Sequence, residues 1–431
     1  MSAALFLAVV AGGSSVAPAV EDENSSPSRP VSEGAVSAIT LEEAVRLALS
    51  GNPVLRQAGG RVVAAEGQAA QARVWPNPEL ELSAEEWPVS GGSRFSDAKQ
   101  TIGVTQTLPF PGKKALDRRI GRTGVKLSKA ALDLRRTELV RDVTAAFYRV
   151  LAAEKSAEVA RELARVAESS AETARKRVEA GAIAYQEQLR AEIQLEQART
   201  DLTNYQRDLA ATRETLATLL GRPDLAGSRL AGSLAESSQS EWLNAPPREW
   251  ISAHPSVAAA LAEVERAELE LRRARLEPYP DVKAGVAGGR LGDTDESIVE
   301  VRLAIPLPLF DRSKGRKFEA QANVAIAQAE LDSVTQQLQA EWRKAVARHR
   351  AAADQVAKYR DRILPKATEA LRLVQAGFDE GKFAFMDLLD TQRTTAEARL
   401  AYQMKLLELS VAQAELAALL RPETNFNSTT K

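Results

Sequence analysis

Residues 76–80 read Pro-Asn-Pro-Glu-Leu, and about 200 residues later positions 278–282 read Pro-Tyr-Pro-Asp-Val. The similarity belongs to an internal repeat that covers most of the chain. Leu-Pro-Phe-Pro at 108–111 returns as Ile-Pro-Leu-Pro at 305–308, and Leu-Leu-Gly-Arg-Pro at 219–223 returns as Leu-Leu-Arg-Pro at 419–422. Each half therefore predicts the same order of elements: a helix, two strands, a very long helix and a second long helix.

Apolar residues in the long helices are spaced by alternating steps of three and four residues, which is typical of a coiled coil. One such seam, made mainly of alanine, runs through residues 143–178, and others run through residues 191–219 and 342–363. Gly181 and Gly381 interrupt the pattern where a hairpin must turn. An alanine-lined seam predicts closely packed helices.

The four predicted strands, at about 78–87, 99–109, 280–288 and 297–306, alternate apolar and polar residues. Each has about the 9–11 residues that a transmembrane strand needs. Any one of them would also fit a hairpin of a soluble protein, but four in matching places favour a sheet between lipid and water. The residues expected to face lipid are Leu80, Leu82, Val282, Val299, Val301 and Leu303.

Four strands cannot close a membrane barrel, because the smallest barrels have about eight and an open edge leaves backbone groups unpaired in lipid. Three copies would supply twelve strands. The expected fold class is therefore mainly α with a transmembrane β-barrel that a homotrimer completes, and the long helices would continue the wall as a coiled-coil α-barrel. Aromatic residues suit two girdles at the lipid boundaries: Trp87 and Phe95 near one end, and Trp75, Phe110, Tyr279 and Phe310 near the other.

Composition excludes several classes of function. Lys and Arg number 57 and Asp and Glu 58, a net charge of −1 that argues against nucleic-acid binding. The chain has no Cys, two His and three Met, which removes disulfides and cysteine nucleophiles and argues against a dense metal cage. No phosphate loop, nucleophile elbow or catalytic dyad is present. We therefore expect neither an enzyme nor a cofactor.

The repeat sets the expected domain boundaries. Residues 1–20 have the apolar core of a signal peptide but no Lys or Arg before it, so a disordered tail is the alternative. A disordered lead-in is expected at 21–39 and the first repeat at 40–222, with long helices at about 112–179 and 184–220. After a linker at 223–241, the second repeat is expected at 242–422, with long helices at about 312–378 and 384–420, followed by a tail at 423–431.

The sequence resembles the outer-membrane efflux protein family, the TolC-like ducts, over roughly residues 40–422. The resemblance rests on the repeat, on the motifs at 76–80 and 108–113, and on the Gly-x-x-x-(Tyr/Phe) turns at Gly181 and Gly381. Among the branches of the family, residues 75–80 (Trp-Pro-Asn-Pro-Glu-Leu) followed by residues 108–113 (Leu-Pro-Phe-Pro-Gly-Lys) most resemble the heavy-metal, CzcC-type ducts. The resemblance implies a trimer in the outer membrane of a Gram-negative bacterium, with a periplasmic extension that docks to an adaptor (a membrane fusion protein) and an inner-membrane pump of the resistance-nodulation-division class.

The turns of the long hairpins carry the residues that the resemblance implies for gating and docking. Asp387 and Asp390, with Glu187 in the first repeat, would be gate residues that attract cations, although a solvated helix face remains the alternative. Phe383 stands where the resemblance implies a latching arginine. The expected docking tips are Gly181, Ala182, Ile183, Gly381, Lys382 and Phe383.

Two other functions remain open from the residues alone. A soluble coiled-coil protein without a membrane role would explain the heptads but not the alternating strands. A periplasmic adaptor would explain a helical hairpin but needs lipoyl-like modules that the sequence lacks. The two histidines suggest structural roles: His349 within a seam, and His254 as a cap or turn residue before Pro255.

Overall fold

A computed structural model describes residues 38–86, 98–234, 247–292, 294 and 296–420. The predicted signal peptide, nearly all of the lead-in, Trp87 and Phe95, residues 235–246 around the end of the linker, and the C-terminal tail lie outside the described residues.

The first repeat follows the predicted order, with short additions at each end. Two short helices precede the strands, and two long helices follow them. After them, a 3₁₀ turn at Pro223–Leu225 leads to a two-residue strand that pairs in parallel with the first one. In chain order the elements are β1 (Ile39–Thr40), α1 (Leu41–Gly51), α2 (Pro53–Gln71), β2 (Glu79–Glu85), β3 (Lys99–Leu108), α3 (Lys113–Glu179), α4 (Tyr185–Leu220) and β4 (Leu230–Ala231).

The second repeat has the same plan, except that its first long helix is divided. Helices α7 and α8 are joined by a π-helical turn at Tyr359–Ile363. The elements are α5 (Pro247–Ala253), α6 (Pro255–Arg275), β5 (Val282–Arg290), β6 (Ser297–Ala304), α7 (Lys314–Lys358), α8 (Leu364–Asp379) and α9 (Phe385–Leu420).

The π turn corrects the prediction of one continuous helix over 312–378. Pro365 has no N–H to donate and its ring crowds the preceding turn, so the backbone widens and Leu364 N–H donates to the carbonyl of Tyr359. The wider turn shifts the helical phase. As a result Ile363, predicted as the last residue of the third seam, is exposed.

Side chains fix where the short helices begin. Thr40 caps α1 by accepting from the N–H of Glu43 (3.2 Å), and Asn52 caps α2 by accepting from the N–H of Val54 (2.8 Å). Asn52 also donates through Nδ2 to the carbonyl of Leu219 (2.8 Å), which ties the start of α2 to the end of α4. These caps hold the short helices in line with the long ones.

Helix α3 is the central element. Its 67 residues span about 100 Å at 1.5 Å per residue. It packs against α2 and α6 near the strands and against α4 and α9 farther along. The alanine seam lies in these contacts, with Ala146, Ala157 and Ala174 buried. Two larger apolar clusters lie midway, one around Phe147 and Leu220 and the other around Trp250 and Leu338.

The four long strands form one antiparallel sheet in the order β2-β3-β5-β6, so β3 and β5 join the two repeats. Strands β2 and β6 lie at the edges of this sheet. Among the described residues, no helix combines the length and the apolar character that crossing a bilayer would require.

Both histidines are buried, and their pKa values predict acid sensitivity. His254 caps α6 through Nδ1, which accepts from the N–H of Ser256 (3.2 Å), and burial lowers its pKa. His349 is wholly buried in the α7 seam, where burial and Arg350 lower its pKa. Because both folded-state values lie below the unfolded value of about 6.5, these residues stabilise the fold fully above that pH, and the stabilisation is lost as the pH falls through the folded-state values.

His254→Asn places at this cap the residue that caps α2 in the first repeat. As the pH is lowered below about 6.5, the free energy of unfolding should fall in both proteins. We expect the fall to be smaller in the variant by about 1 kcal/mol, because an asparagine cap does not titrate. Thermal unfolding followed by circular dichroism between pH 7.5 and 5 measures this. An unchanged pH dependence in the variant would exclude His254 as the sensitive cap.

Candidate functional site

One face of the four-stranded sheet is apolar and exposed. The register aligns Leu80, Val104, Val286 and Val301 across all four strands, and it places Leu82, Ile102 and Val299 in the next row. Val301 is 82% exposed in the single chain. A contiguous exposed apolar surface of this kind indicates contact with a membrane or another protein.

The six residues that the sequence assigned to lipid all lie on this face. Leu80, Leu82, Val299, Val301 and Leu303 are exposed. Val282 is half-buried instead, because it pairs with Leu108 at the end of β5 nearest the helices.

The opposite face is polar and internally paired. Arg302 is the centre, with Nη1 2.6 Å from Glu81 and Nη2 3.0 Å from Glu300. Glu300 also contacts Lys99 (2.5 Å), and the hydroxyls of Ser83 and Thr101 lie 2.6 Å apart. Strands β2, β3 and β6 therefore share one polar network on this side, and Lys283 of β5 lies 3.6 Å from Glu79 of β2 on the same face, as a water-facing wall requires.

The strands and helices meet at a compact junction. Asp281 Oδ1 accepts from the N–H of Phe110 and from Nζ of Lys113, each at 2.8 Å. The rings of Phe110 and Tyr279 stack with centroids 4.8 Å apart. Residues from both repeats thus fix the point where β3 turns into α3.

At the far end of the helices, the two hairpin turns lie beside each other. Gly181 (φ 69°) and Gly381 (φ 75°) adopt the left-handed conformation that a Cβ would penalise. The guanidinium of Arg177 lies 4.2 Å from the ring centroid of Phe378. A cluster joins the turns of the two repeats: buried Ala174, Ala191, Phe378, Phe385, Leu388 and Leu389, with Ile183 packed against it.

The other predicted docking residues lie on the surface of these turns. Ala182, Lys382 and Phe383 are exposed, whereas Ile183 is half-buried. The ring of Phe383 covers Gly377, where a Cβ would come within 2.2 Å of it. Phe383 therefore packs within its own hairpin, where it fixes the shape of the turn.

The predicted gate residues occupy the first turns after these loops. Asp387 is exposed, and its Oδ2 accepts from the N–H of Ala384 (3.1 Å), so it caps α9. Asp390 is exposed and lies 2.8 Å from Arg393. Glu187 is half-buried at the matching position of α4, and its N–H donates to the carbonyl of Ala184 (2.9 Å). Each carboxylate is accessible, and Asp390 already has a cationic partner.

The described residues contain no group of three or more His, Cys, Asp or Glu side chains that could hold a metal ion.

The sequence matches the family of outer membrane efflux proteins at residues 44–222 and 247–420, which cover both repeats. The chain belongs to this family. It is therefore the channel component of an efflux system in the outer membrane of a Gram-negative bacterium, and its long helices extend into the periplasm. The family is one of transport proteins, and the soluble coiled-coil and adaptor interpretations are set aside.

Individual relatives agree with this assignment. The efflux protein is 29% identical to the cobalt-zinc-cadmium resistance protein CzcC of Cupriavidus metallidurans, over 85% of this chain and 86% of the relative. It is 29% identical to the nickel-cobalt-cadmium resistance protein NccC of Alcaligenes xylosoxydans xylosoxydans, over 72% of this chain and 69% of the relative. The outer membrane protein VceC of Vibrio cholerae has the same fold, with a TM-score of 0.73, 20% identity, and coverage of 88% of this chain and 95% of that one.

Sequence reasoning missed the pairs that connect the repeats of the efflux protein. Lys113 contacts Asp281, 168 residues away, and Arg177 contacts Phe378. The repeat offset of about 200 residues could have suggested that equivalent turns lie side by side. It could not identify the side chains that meet there, because that depends on the phase of packed helices.

Proposed function

We propose that this efflux protein is a passive homotrimeric duct in a tripartite assembly and that it exports divalent heavy-metal cations. The observation that carries the proposal is the sheet, with one exposed apolar face and one ion-paired polar face, joined to helices about 100 Å long. In lipid the edges of β2 and β6 would leave backbone groups unpaired. Pairing β6 of one copy with β2 of the next, three times, makes a closed antiparallel barrel of twelve strands.

The proposed cargo is inferred from the metals in the names of the related proteins. CzcC carries cobalt, zinc and cadmium in its name, and NccC carries nickel, cobalt and cadmium. A passive duct needs no cage of metal ligands, since the pump that it serves selects the cargo. The partners we propose are a periplasmic adaptor and an inner-membrane pump of the resistance-nodulation-division class.

We propose that the adaptor docks at the two hairpin turns. Gly381→Trp adds a bulky side chain at a position with positive φ, so we expect it to alter the tip and abolish metal resistance in a strain whose own duct is deleted. The trimer and its membrane insertion should persist, because the turn is remote from the sheet. Growth with cobalt, zinc or cadmium, together with co-purification of the adaptor, measures the effect.

Gly315→Trp is a matched control, because this glycine also lies in open space but at the start of α7. It should retain adaptor binding. Normal adaptor binding by Gly381→Trp would contradict docking at this tip. If the deletion strain that carries the native protein gains no resistance to cobalt, zinc or cadmium, the proposed cargo is wrong.

We propose that Asp387 and Asp390 give the pore its preference for cations. Threefold symmetry would bring six carboxylates near one axis, where their fields add. Asp387→Asn/Asp390→Asn removes these charges, while the asparagine introduced at position 387 keeps an oxygen for the N–H of Ala384. Single-channel recordings should show lower cation selectivity and weaker block by multivalent cations.

The control is Glu369→Gln. Glu369 belongs to an exposed i, i+3 ion pair with Arg372 at 2.7 Å, much like that of Asp390 and Arg393 at 2.8 Å. The Glu369→Gln variant should leave the cation selectivity of the pore unchanged. If the double variant behaves like this control, the aspartates belong to a solvated outer face.

A further inference from the structure

Basic residues are concentrated where the helices meet the strands. Residues 113–126 of α3, 272–281 at and after the end of α6, and 311–319 around the start of α7 together contain thirteen Lys and Arg but five Asp and Glu. The whole chain, by contrast, has a net charge of −1. We name these three segments the basic collar.

Ion pairs bring the three segments of the collar together. Lys113 contacts Asp281 at 2.8 Å, and Arg273 Nε lies 3.0 Å from Asp117. Arg316 Nη1 lies 2.9 Å from Glu277, which also pairs with Arg273. These contacts occupy three of the five carboxylates, so the remaining positive charge is not balanced within the collar.

The surplus charge is at the surface. Seven basic side chains of the collar are exposed and, within the described part of the chain, have no carboxylate partner: Arg118, Arg119, Arg122, Arg272, Arg275, Arg312 and Lys314. They come from all three segments.

Exposed aromatic and apolar side chains lie between the collar and the apolar face of the sheet. Phe310 is 100% exposed and immediately precedes the α7 part of the collar, and Tyr279 is exposed between α6 and β5. Leu307 and Leu309 extend the apolar surface beyond β6. The order along the chain, from apolar strand to aromatic residues to basic residues, matches the order of hydrocarbon, interface and phosphate in a bilayer leaflet.

We propose that the basic collar binds the phosphate groups of anionic phospholipids in the leaflet on the helical side of the membrane. The proposal rests on the membrane placement of the sheet described above. Arginine guanidinium groups bind phosphate oxygens in a bidentate manner, and the seven exposed cations, six arginines and Lys314, act on the same layer of headgroups within a few turns of the strand ends. This contact fixes the depth at which the helices leave the membrane.

The test compares the full-length native protein with two triple variants. Arg119→Gln/Arg275→Gln/Arg312→Gln removes one charge from each segment of the collar. Arg161→Gln/Arg165→Gln/Arg207→Gln removes three exposed charges from α3 and α4, with Arg161 about 70 Å from the start of α3. Each protein is reconstituted into phosphatidylcholine vesicles with and without phosphatidylglycerol, and spin-labelled lipids report the relative association constant of the two headgroups.

Each Lys or Arg near an anionic membrane surface strengthens binding to that surface roughly fivefold. We therefore expect the collar variant to lose at least about fivefold of the preference for phosphatidylglycerol, while the control variant keeps it. High salt should reduce the preference of the native protein, because salt screens the charges. The collar proposal would be overturned if all three proteins preferred phosphatidylglycerol equally. It would also be overturned if the native protein inserted into the vesicles but showed no preference for phosphatidylglycerol. Failure of the native protein to insert into either membrane would overturn the membrane placement itself.

Discussion

Val301→Arg is expected to weaken membrane insertion of the efflux protein by about 2–4 kcal/mol, the cost of arginine near the middle of a lipid-facing strand. Val301 lies in the interior of β6 on the apolar face, in register with Val286. Arginine there must enter hydrocarbon or distort the bilayer. Folding into vesicles, followed by heat-modifiable migration on gels and titrated with urea, measures the change.

The control places the same residue on the other face. Thr105→Arg puts a guanidinium beside Glu81, to which the Thr105 hydroxyl donates at 3.3 Å, and opposite Glu79 in the register. We expect this variant to stay within about 1 kcal/mol of the native protein, because a surface cation near carboxylates costs little. Lys283→Gln should be similarly mild. Equal losses for Val301→Arg and Thr105→Arg would show that the two faces do not separate lipid from water.

Asp281→Asn is expected to destabilise the junction by about 2–3 kcal/mol, somewhat less than breaking a fully buried ion pair. The side chain of Lys113 is 7% exposed, so without Asp281 its ammonium group is left buried with no counter-charge. Asparagine retains an oxygen for the N–H of Phe110, which isolates the effect of charge. Urea unfolding at pH 7 measures the loss.

The same pair predicts a loss of stability in acid. Burial acts to raise the pKa of Asp281, but the hydrogen bonds from Lys113 and from the N–H of Phe110, together with the positive charges of Lys113 and Arg273, outweigh it, so the pKa is lowered. The stabilisation is therefore complete above the unfolded value of about 4 and is lost as the pH falls through the folded-state pKa.

Two variants test whether the buried charge is the cause. Lys113→Met/Asp281→Asn removes both charges and should recover much of the stability that the single variant loses. Glu369→Gln breaks an exposed ion pair and should cost little stability, because solvent screens the two charges. An Asp281→Asn variant as stable as Glu369→Gln would contradict the importance of this junction.

The sequence by itself determined the kind of each long element and, outside the π turn, the face that its residues take. Alternation in β6 places Val299, Val301 and Leu303 on one side, and heptad spacing in α3 selects the alanines that become buried. These patterns depend on side-chain directions that repeat every two or 3.6 residues along a chain. Residues that are close in sequence are therefore enough to reveal these patterns.

Only the tertiary structure decided which side chains meet across the two repeats. The β3–β5 register, the contact of Lys113 with Asp281 and the position of Arg177 over Phe378 each join residues more than 160 positions apart. The phase of packed helices decides such contacts, and a single local change such as the π turn before Pro365 shifts that phase and exposes Ile363. Periodicity specifies a face of each element, but it leaves open which residues of another element pack against that face.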